Sequence, residues 1–135
     1  MSREAATTAT LLITARESLE QFVEVHVDDD GALSFRHGDV PCAVQGVELV
    51  EGLAVLSLTC VVAWDLTDPD TPRRVAERAG QGLFGTLGAI GTDTGWDVTL
   101  RYAFPAEGLG TGPLGTLLML VVSTASQVRT ELHPA

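Results

Sequence analysis

Residues 53–65 read Leu-Ala-Val-Leu-Ser-Leu-Thr-Cys-Val-Val-Ala-Trp-Asp, a segment rich in residues that favour β-strands. Successive side chains of a strand point to opposite faces. One face would carry Leu56, Leu58, Cys60, Val62 and Trp64, and the other would carry Leu53, Val55, Val61 and Ala63. A strand that is apolar on both faces is typical of a sheet interior. The segment therefore predicts a central strand with both faces covered, or with one face that meets a partner.

The residues before this strand predict one helix and three more strands. An amphipathic helix is expected from Glu4 to Phe22, with an apolar stripe of Leu11, Leu12, Ala15, Leu19 and Phe22. Apolar side chains alternate with polar ones in Val23–Val27 and again in Leu33–Phe35, around the turn Asp28–Gly31. This pattern predicts a hairpin with one solvated face. A further strand is expected over Val40–Val50.

The residues after the central strand predict two more helices with a hairpin between them. The expected elements are a helix with N-cap Thr71 that ends at Gly80 or Leu83, strands Phe84–Ile90 and Trp96–Phe104, and a helix over Pro113–Leu132. The apolar stripe of the last helix comprises Leu114, Leu117, Leu118, Val121, Ala125, Val128 and Leu132. The whole order is therefore α-β-β-β-β-α-β-β-α.

This order predicts an α+β fold. Strands that are joined by short turns pair antiparallel, and amphipathic helices need an apolar sheet face to cover. We therefore expect an antiparallel sheet with the helices mainly on one face. Neither an internal repeat nor a long linker interrupts the 135 residues, so a single domain over residues 1–135 is predicted.

The charge composition argues against two classes of partner. The chain has 18 acidic and 8 basic residues, a net charge of −10, and all its basic residues are Arg. Nucleic acid and anionic membranes bind clustered basic residues, so neither is expected as a partner. The N-terminal residues lack the apolar core of a signal peptide, and the apolar stretch Leu114–Val122 is about half a membrane span. A cytoplasmic protein is predicted.

Three sequence patterns suggest chemistry, but each fits a turn or a strand better. Gly80–Gly85 matches the G-x-G-x-x-G pattern, but it follows a helix, whereas the dinucleotide fingerprint follows a strand. Asp28–Gly31 lacks the ligand spacing of a calcium loop. His26 and His37 have no metal-ligand partners at the usual spacing, and are expected to be solvated. No catalytic residue, cofactor or metal is therefore predicted.

The two cysteines are expected to stay reduced on opposite faces of the sheet. If Glu51 and Gly52 form a two-residue hairpin turn, antiparallel pairing places Cys42 opposite Val61. Cys60 would then project from the other face. A bulge that brings both cysteines to one face would overturn this register.

Some apolar side chains exceed what one core needs. Ile13 lies opposite the apolar stripe of the first helix, Met119 and Leu120 lie off the stripe of the last, and Trp64 and Trp96 add two large rings. Surplus apolar surface usually marks an interface. These five residues are the candidate contacts with a protein partner or with a second copy of the chain.

The order of elements resembles the YbjN family, which has the fold of type III secretion chaperones. The similarity is carried by residues 25–31 (VHVDDDG), 98–109 (VTLRYAFPAEGL) and 117–122 (LLMLVV). The absence of Lys and the abundance of Ala, Gly and Val resemble proteins of GC-rich actinobacterial genomes, in which relatives have been proposed as peptide-binding chaperones. The resemblance implies a small, acidic, cytosolic homodimer that binds an extended client segment through apolar patches, without nucleotide or catalytic residues.

The sequence thus favours a non-enzymatic protein-binding module, a chaperone or regulator that holds an extended segment by strand addition or in apolar grooves. The alternative is a small-molecule sensor with a pocket between the sheet and the helices. An acid/base enzyme ranks third. A deep closed pocket with convergent polar groups would favour the sensor or the enzyme, whereas an open apolar groove beside an unpaired strand edge would favour the chaperone.

Overall fold

A sheet of six antiparallel strands forms the middle of the structure, a computed structural model that describes residues 7–133. The order of elements and the α+β class are as predicted from the sequence. In chain order the elements are α1 Thr8–Leu19, β1 His26–Val27, β2 Leu33–His37, β3 Val40–Val50, β4 Leu53–Leu66, α2 Thr71–Ala79, β5 Thr86–Gly91, β6 Trp96–Phe104 and α3 Thr111–Leu132. The strands lie side by side in the order β1-β2-β3-β4-β6-β5.

The helices cover one face of this sheet, as expected, and we call it the inner face. α1 and α3 pack on β3 and β4, and α2 packs on β5. The central strand β4 contributes Leu56, Leu58 and Cys60 to the core, and all three are fully buried. Leu100 of β6 and Leu118 of α3 are also fully buried. Burial of these side chains between the two layers is the main contribution to the stability of the fold.

The ends of the first two helices differ from the expectation. α1 ends at Leu19, so Phe22 lies beyond the helix, and 55% of Phe22 is exposed. The N-cap of α2 is Asp70 rather than Thr71. Thr71 is the first helical residue, and its buried side-chain oxygen has no hydrogen-bond partner. The threonine faces the core, where it cannot cap the helix.

The G-x-G-x-x-G segment is a turn, as predicted. α2 ends at Ala79, and the chain then turns through Gly82 and Gly85 into β5, with φ angles of 85° and 100°. A side chain is rarely tolerated at such positive φ values, which explains glycine at both positions. The segment follows a helix and precedes a strand, so it lacks the helix N-terminus that a phosphate-binding loop needs.

The predicted register of the β3–β4 hairpin is wrong. Cys42 lies opposite Cys60 and not Val61. Val50 pairs with Leu53 but Glu48 pairs with Ala54, so Leu49 is an extra residue and forms a β-bulge that shifts the register. Both cysteines are therefore buried on the inner face as free thiols. The neighbouring Cys42 thiol and burial raise the pKa of Cys60, which keeps its thiol protonated.

The opposite side of the sheet, the outer face, has no helix packed on it among residues 7–133. Ser57, Thr59 and Val61 of β4 are only partly buried there, so the expectation that both faces of this strand are covered holds for the inner face alone. A second register shift after Val61 turns Ala63 to the inner face. Trp64, expected on the face of Leu58, is half exposed beyond this shift.

α3 is long and apolar enough to cross a membrane, with 22 residues and a mean hydropathy of 1.2 over its most apolar window. In this structure it is a core helix instead. Its buried residues are Leu114, Gly115, Leu118, Val121, Val122, Ala125, Val128 and Leu132. All but one of the predicted stripe residues are in this set; Leu117 is partly buried against the core.

Candidate protein-binding groove

α1 is fixed close to the sheet at its first turn. Thr7 caps the helix, and its side chain accepts a hydrogen bond from the backbone N–H of Thr10, while the Thr10 hydroxyl accepts one from the N–H of Thr7. The helix then passes over Gly46 of β3, where an added Cβ atom would lie 2.6 Å from the Cβ of Thr8. Glycine at this position is what allows the close approach of helix and strand.

A groove runs between α1 and the turn that joins β1 to β2, with a volume of about 320 Å³. Its lining residues are Thr8, Ala9, Leu12, Ile13, Arg16, Val27, Asp30, Gly31 and Leu33. A second depression of about 280 Å³ shares Thr8, Leu12 and Asp30 with it and continues to Gln45 and Val47 of β3. We call the two together the α1 groove. Ile13 and Val27, on opposite walls, are 59% and 49% exposed.

The groove lies beside an open strand edge. β2 pairs with β3 only as far as Leu33 and Val44. Beyond Val44, the residues of β3 up to Val50 pair with β4 on one side and have no strand neighbour on the other within the described chain. The backbone N–H and C=O groups along such an edge can pair with an incoming strand.

The tip of the β3–β4 hairpin extends this apolar surface. Val47, Leu49, Val50 and Leu53 are between 39% and 63% exposed. The bulge at Leu49 interrupts the alternation of side chains between the two faces of β3. The consecutive residues Leu49 and Val50 are therefore both exposed. The α1 groove and this tip together bring several exposed apolar side chains to one end of the sheet, whereas singly scattered ones need no explanation.

One aspartate, Asp30, lines the α1 groove. It accepts a hydrogen bond from the backbone N–H of Ala32 at 3.0 Å, whereas Asp28 accepts one at 3.2 Å from the hydroxyl of Ser34, which lies on the other face of β2. These bonds order the turn, but within residues 7–133 neither carboxylate forms an ion pair with an arginine. The groove also contains Arg16, which pairs with Glu20 at 3.2 Å. Its rim is therefore negative.

The five residues singled out from the sequence do not form one cluster. Ile13 lines the α1 groove, as its position on α1 suggested. Trp64 lies at the other end of β4, where the guanidinium carbon of Arg129 is 5.1 Å from its ring centre. Trp96 begins β6. Met119 is partly buried against the core, whereas Leu120 is 45% exposed on α3.

Most of the apolar residues on this surface were not recognised from the sequence. Val27, Val47 and Leu49 read as ordinary strand residues, and only the bulge and the short β1 leave them uncovered. Leu53 belongs to the second face of the central strand, for which a partner was one of the two expectations. The available signal was the apolar residues Leu49, Val50 and Leu53, which flank the turn at Glu51 and Gly52. Tips of hairpins are usually polar, so an apolar tip indicates a contact.

The histidines and acidic residues considered as metal ligands are not brought together in the described part of the chain. Within residues 7–133, no group of three His, Cys, Asp or Glu side chains is placed to hold a metal ion. His37 is not solvated as predicted: its Nδ1 atom lies 2.6 Å from the hydroxyl of Ser126 on α3, and it is partly buried. This contact joins β2 to α3, so the histidine has a structural role.

Comparison with known proteins bears on the fold. No family model and no curated protein matches the sequence. The structure is similar to the crystal structure of the ExsC-ExsE complex, with a TM-score of 0.65 over 95% of this chain and 97% of that chain. The chain has a type III secretion chaperone fold. At 17% sequence identity the similarity extends to the fold alone, and membership of the YbjN family stays a prediction.

Proposed function

We propose that this protein is a non-enzymatic cytoplasmic chaperone or regulator that holds an extended segment of a client protein in the α1 groove. The observation that carries the proposal is the combination of an apolar groove and an unpaired strand edge at the same place. Ile13 and Val27 offer exposed apolar walls, and β3 beyond Val44 has no second strand neighbour within residues 7–133. The chaperone fold, found also in a protein crystallised as a two-protein complex, supports this interpretation.

The groove defines the chemistry of the client. An extended segment that pairs with β3 directs alternate side chains toward and away from the groove. Apolar side chains fit against Leu12 and Ile13. The intervening side chains point to the other face, on the side of Asp28, which has no arginine partner among the described residues, so basic side chains fit there. The expected client segment therefore alternates apolar and basic residues.

We also propose that the chain forms a homodimer through β5. The two edges of the sheet differ: β1 has only two residues and precedes three aspartates, whereas β5 has six residues without a charge or a proline. Natural edge strands are usually protected from pairing by such residues. β5 lacks that protection, and Ile90 on it is 53% exposed. Antiparallel pairing of β5 with its copy would cover the β5 edge of each chain.

Sedimentation velocity tests the dimer. The wild-type chain should sediment with the mass of two chains, and Ile90→Lys should sediment as a monomer, because it places like charges on adjacent edge strands. Even a weak dimer should form at about 100 μM. If the wild-type chain sediments as a monomer at that concentration, this part of the proposal is contradicted. It would leave the proposal for the groove unaffected.

Isothermal titration calorimetry with a synthetic 12-residue peptide of alternating Val and Arg tests the groove. The wild-type chain should bind it, and a peptide of alternating Ser and Arg should bind at least about tenfold more weakly, because it has no apolar side chains to bury. Ile13→Glu should weaken binding of the Val-Arg peptide by about tenfold. The matched control is Leu120→Glu, on an exposed site of α3 outside the groove, which should leave binding unchanged. Equal loss in both variants would contradict the assignment of the site.

A further inference from the structure

The two cysteines form a cross-strand pair in the core that the client groove does not use. Cys42 of β3 lies directly opposite Cys60 of β4 in the antiparallel ladder. Both are free thiols on the inner face of the sheet, 4% and 0% exposed. They are the only cysteines in the 135 residues, so neither has another partner within the chain.

Pro41 identifies the kind of pair that the two cysteines form. Opposite residues in an antiparallel ladder alternate between hydrogen-bonded and non-hydrogen-bonded pairs. Pro41 has no N–H, so its pair with Arg36 of β2 is the non-hydrogen-bonded kind. The next pair, Phe35 with Cys42, is then hydrogen-bonded, which directs the backbone groups of Cys42 toward β2 and away from β4. Across β4, Cys42 and Cys60 are therefore a non-hydrogen-bonded pair.

This geometry brings the two thiols within bonding range. The Cα atoms of a non-hydrogen-bonded pair are about 4.5 Å apart, and their side chains are closer than those of a hydrogen-bonded pair. A disulfide accepts Cα separations of about 4.4 to 6.8 Å, so the bond can form without moving either strand. The neighbouring Cys42 thiol, together with burial, raises the pKa of Cys60, as expected for two thiols in close proximity.

A disulfide at this position would enclose the least supported part of the sheet. It would close residues 42–60 into a covalent ring that contains the open edge beyond Val44, the bulge at Leu49 and the apolar hairpin tip. Within the described chain, β3 beyond Val44 pairs with β4 alone. A crosslink at the base of this hairpin removes conformations in which the two strands separate.

We propose that Cys42 and Cys60 are the site of a reversible intrachain disulfide, which forms when the chain is exposed to a peroxide. In the first step the Cys42 thiolate attacks one oxygen of hydrogen peroxide, the O–O bond breaks, and sulfenic acid and hydroxide result. In the second step the Cys60 sulfur attacks the Cys42 sulfur, the S–S bond forms and the S–O bond breaks. In total two thiols lose two electrons and two protons, and one peroxide becomes two waters.

The burial of the pair determines the order and the speed of these steps. Cys42 retains slight exposure whereas Cys60 has none, so the first step takes place at Cys42. Cys60 then lies opposite the sulfenic acid and reacts with it before a second peroxide can. Thiols react as thiolates, and burial in apolar surroundings opposes that form. The pair therefore responds slowly, to sustained rather than brief exposure.

Intact-mass spectrometry of the full chain after prolonged incubation with excess hydrogen peroxide tests the proposal. The wild-type mass should fall by two hydrogen atoms, and both thiols should stop reacting with a thiol reagent in denaturant. Dithiothreitol should reverse both changes, and peptide mapping should join Cys42 to Cys60. The melting temperature of the oxidised chain should rise by about 5 °C or more, because the crosslink restricts the unfolded chain.

The matched control is the double variant C60V/V61C, which moves one thiol by a single residue. Position 61 lies on the outer face of β4, so the two thiols are then separated by the sheet. This variant should not lose two hydrogen atoms within one chain. Circular dichroism should show that it is folded, and Cys42→Ser is a second variant that leaves Cys60 without a partner.

Any of three results would overturn the proposal. In the first, the wild-type chain keeps both thiols after the incubation. In the second, it gains oxygen atoms or links to a second chain and forms no intrachain bond. In the third, C60V/V61C forms the intrachain bond as readily as the wild type, so that strand register has no part in it. No client peptide enters the experiment, so its outcome is independent of the proposal for the groove.

Discussion

The two ends of the helix layer differ in how their polar and apolar groups are used. At the end where α2 meets α3, Arg78 pairs with Glu131 at 2.9 Å and Arg74 donates to the carbonyl oxygen of Glu131 at 2.7 Å. At the α1 end, Ile13 and Val27 are exposed and the nearby aspartates have no arginine partner among the described residues. The first end is closed by contacts within the chain. The second has the composition of a surface that meets another chain.

The two ends of the helix layer are held in different ways. Where two helices are joined by ionic and hydrogen-bonded contacts, as α2 and α3 are, their polar groups have partners within the chain. Where a helix is held by close backbone approach, as α1 is at Gly46, the groups on either side stay available. The following variants test that distinction, in order of the size of the effect on the free energy of unfolding.

Leu118→Ala should have the largest effect. Leu118 is fully buried in α3 between the helix layer and the sheet. Removal of its side chain should lower the free energy of unfolding by about 3 kcal/mol, from lost apolar burial and the cavity left behind. Urea denaturation followed by circular dichroism measures the change. Leu120→Ala on the exposed side of the same helix should change it by less than about 0.5 kcal/mol. A similar loss in both variants would contradict the assignment of the buried face.

Gly46→Ala should have the next largest effect. The added Cβ atom would lie 2.6 Å from Thr8, so α1 must move away from β3 at a cost of about 1–3 kcal/mol. Gly88→Ala is the matched control, because Gly88 is also inside a strand but has no atom within 4 Å of the added Cβ. The control should be neutral or stabilising by up to about 1 kcal/mol, since alanine is favoured over glycine in a strand. Equal destabilisation by the two would show that α1 is not held at Gly46.

Arg129→Gln should have a smaller effect. Its guanidinium group stacks on Trp64 and donates to Val62, so the variant should lose about 1–2 kcal/mol of stability. The emission of Trp64, which is half exposed, should change in the same variant. Arg73→Gln, which removes a fully solvated arginine from α2, should change neither stability nor emission measurably. If Arg129→Gln is as stable as Arg73→Gln, the contacts of Arg129 do not stabilise α3 on the sheet. The contrast between this part of the helix layer and the α1 end would then be wrong.

Much of the fold could be predicted from the sequence because its elements have clear periodicity. The two-faced apolar pattern of residues 53–65 predicted the central strand, and the stripe from Leu114 to Leu132 predicted the face of α3 that is buried. The order α-β-β-β-β-α-β-β-α followed from these patterns and from the turns between them. It is also the order of the chaperone fold that the structure matches.

The α1 groove could be predicted only at Ile13. The sequence does not reveal the extra residue at Leu49, because Val47, Leu49 and Val50 are all apolar and are compatible with either register. The position of the two cysteines depends on the same bulge, and so their predicted faces were wrong. A bulge of this kind is decided by packing across the sheet rather than by local sequence. The open edge of β3 beyond Val44 arises because β2 begins only at Leu33, after the Asp28–Gly31 turn.

The most direct test of the client groove is NMR. Amide shifts of the ¹⁵N-labelled chain should be recorded while the peptide of alternating Val and Arg is added. The account predicts that the perturbed amides are those of Ile13, Val27 and residues 45–50, while the indole signal of Trp64 at the far end of β4 stays in place. Perturbation confined to the α2 end of the sheet, or spread evenly over the acidic surface, would contradict it.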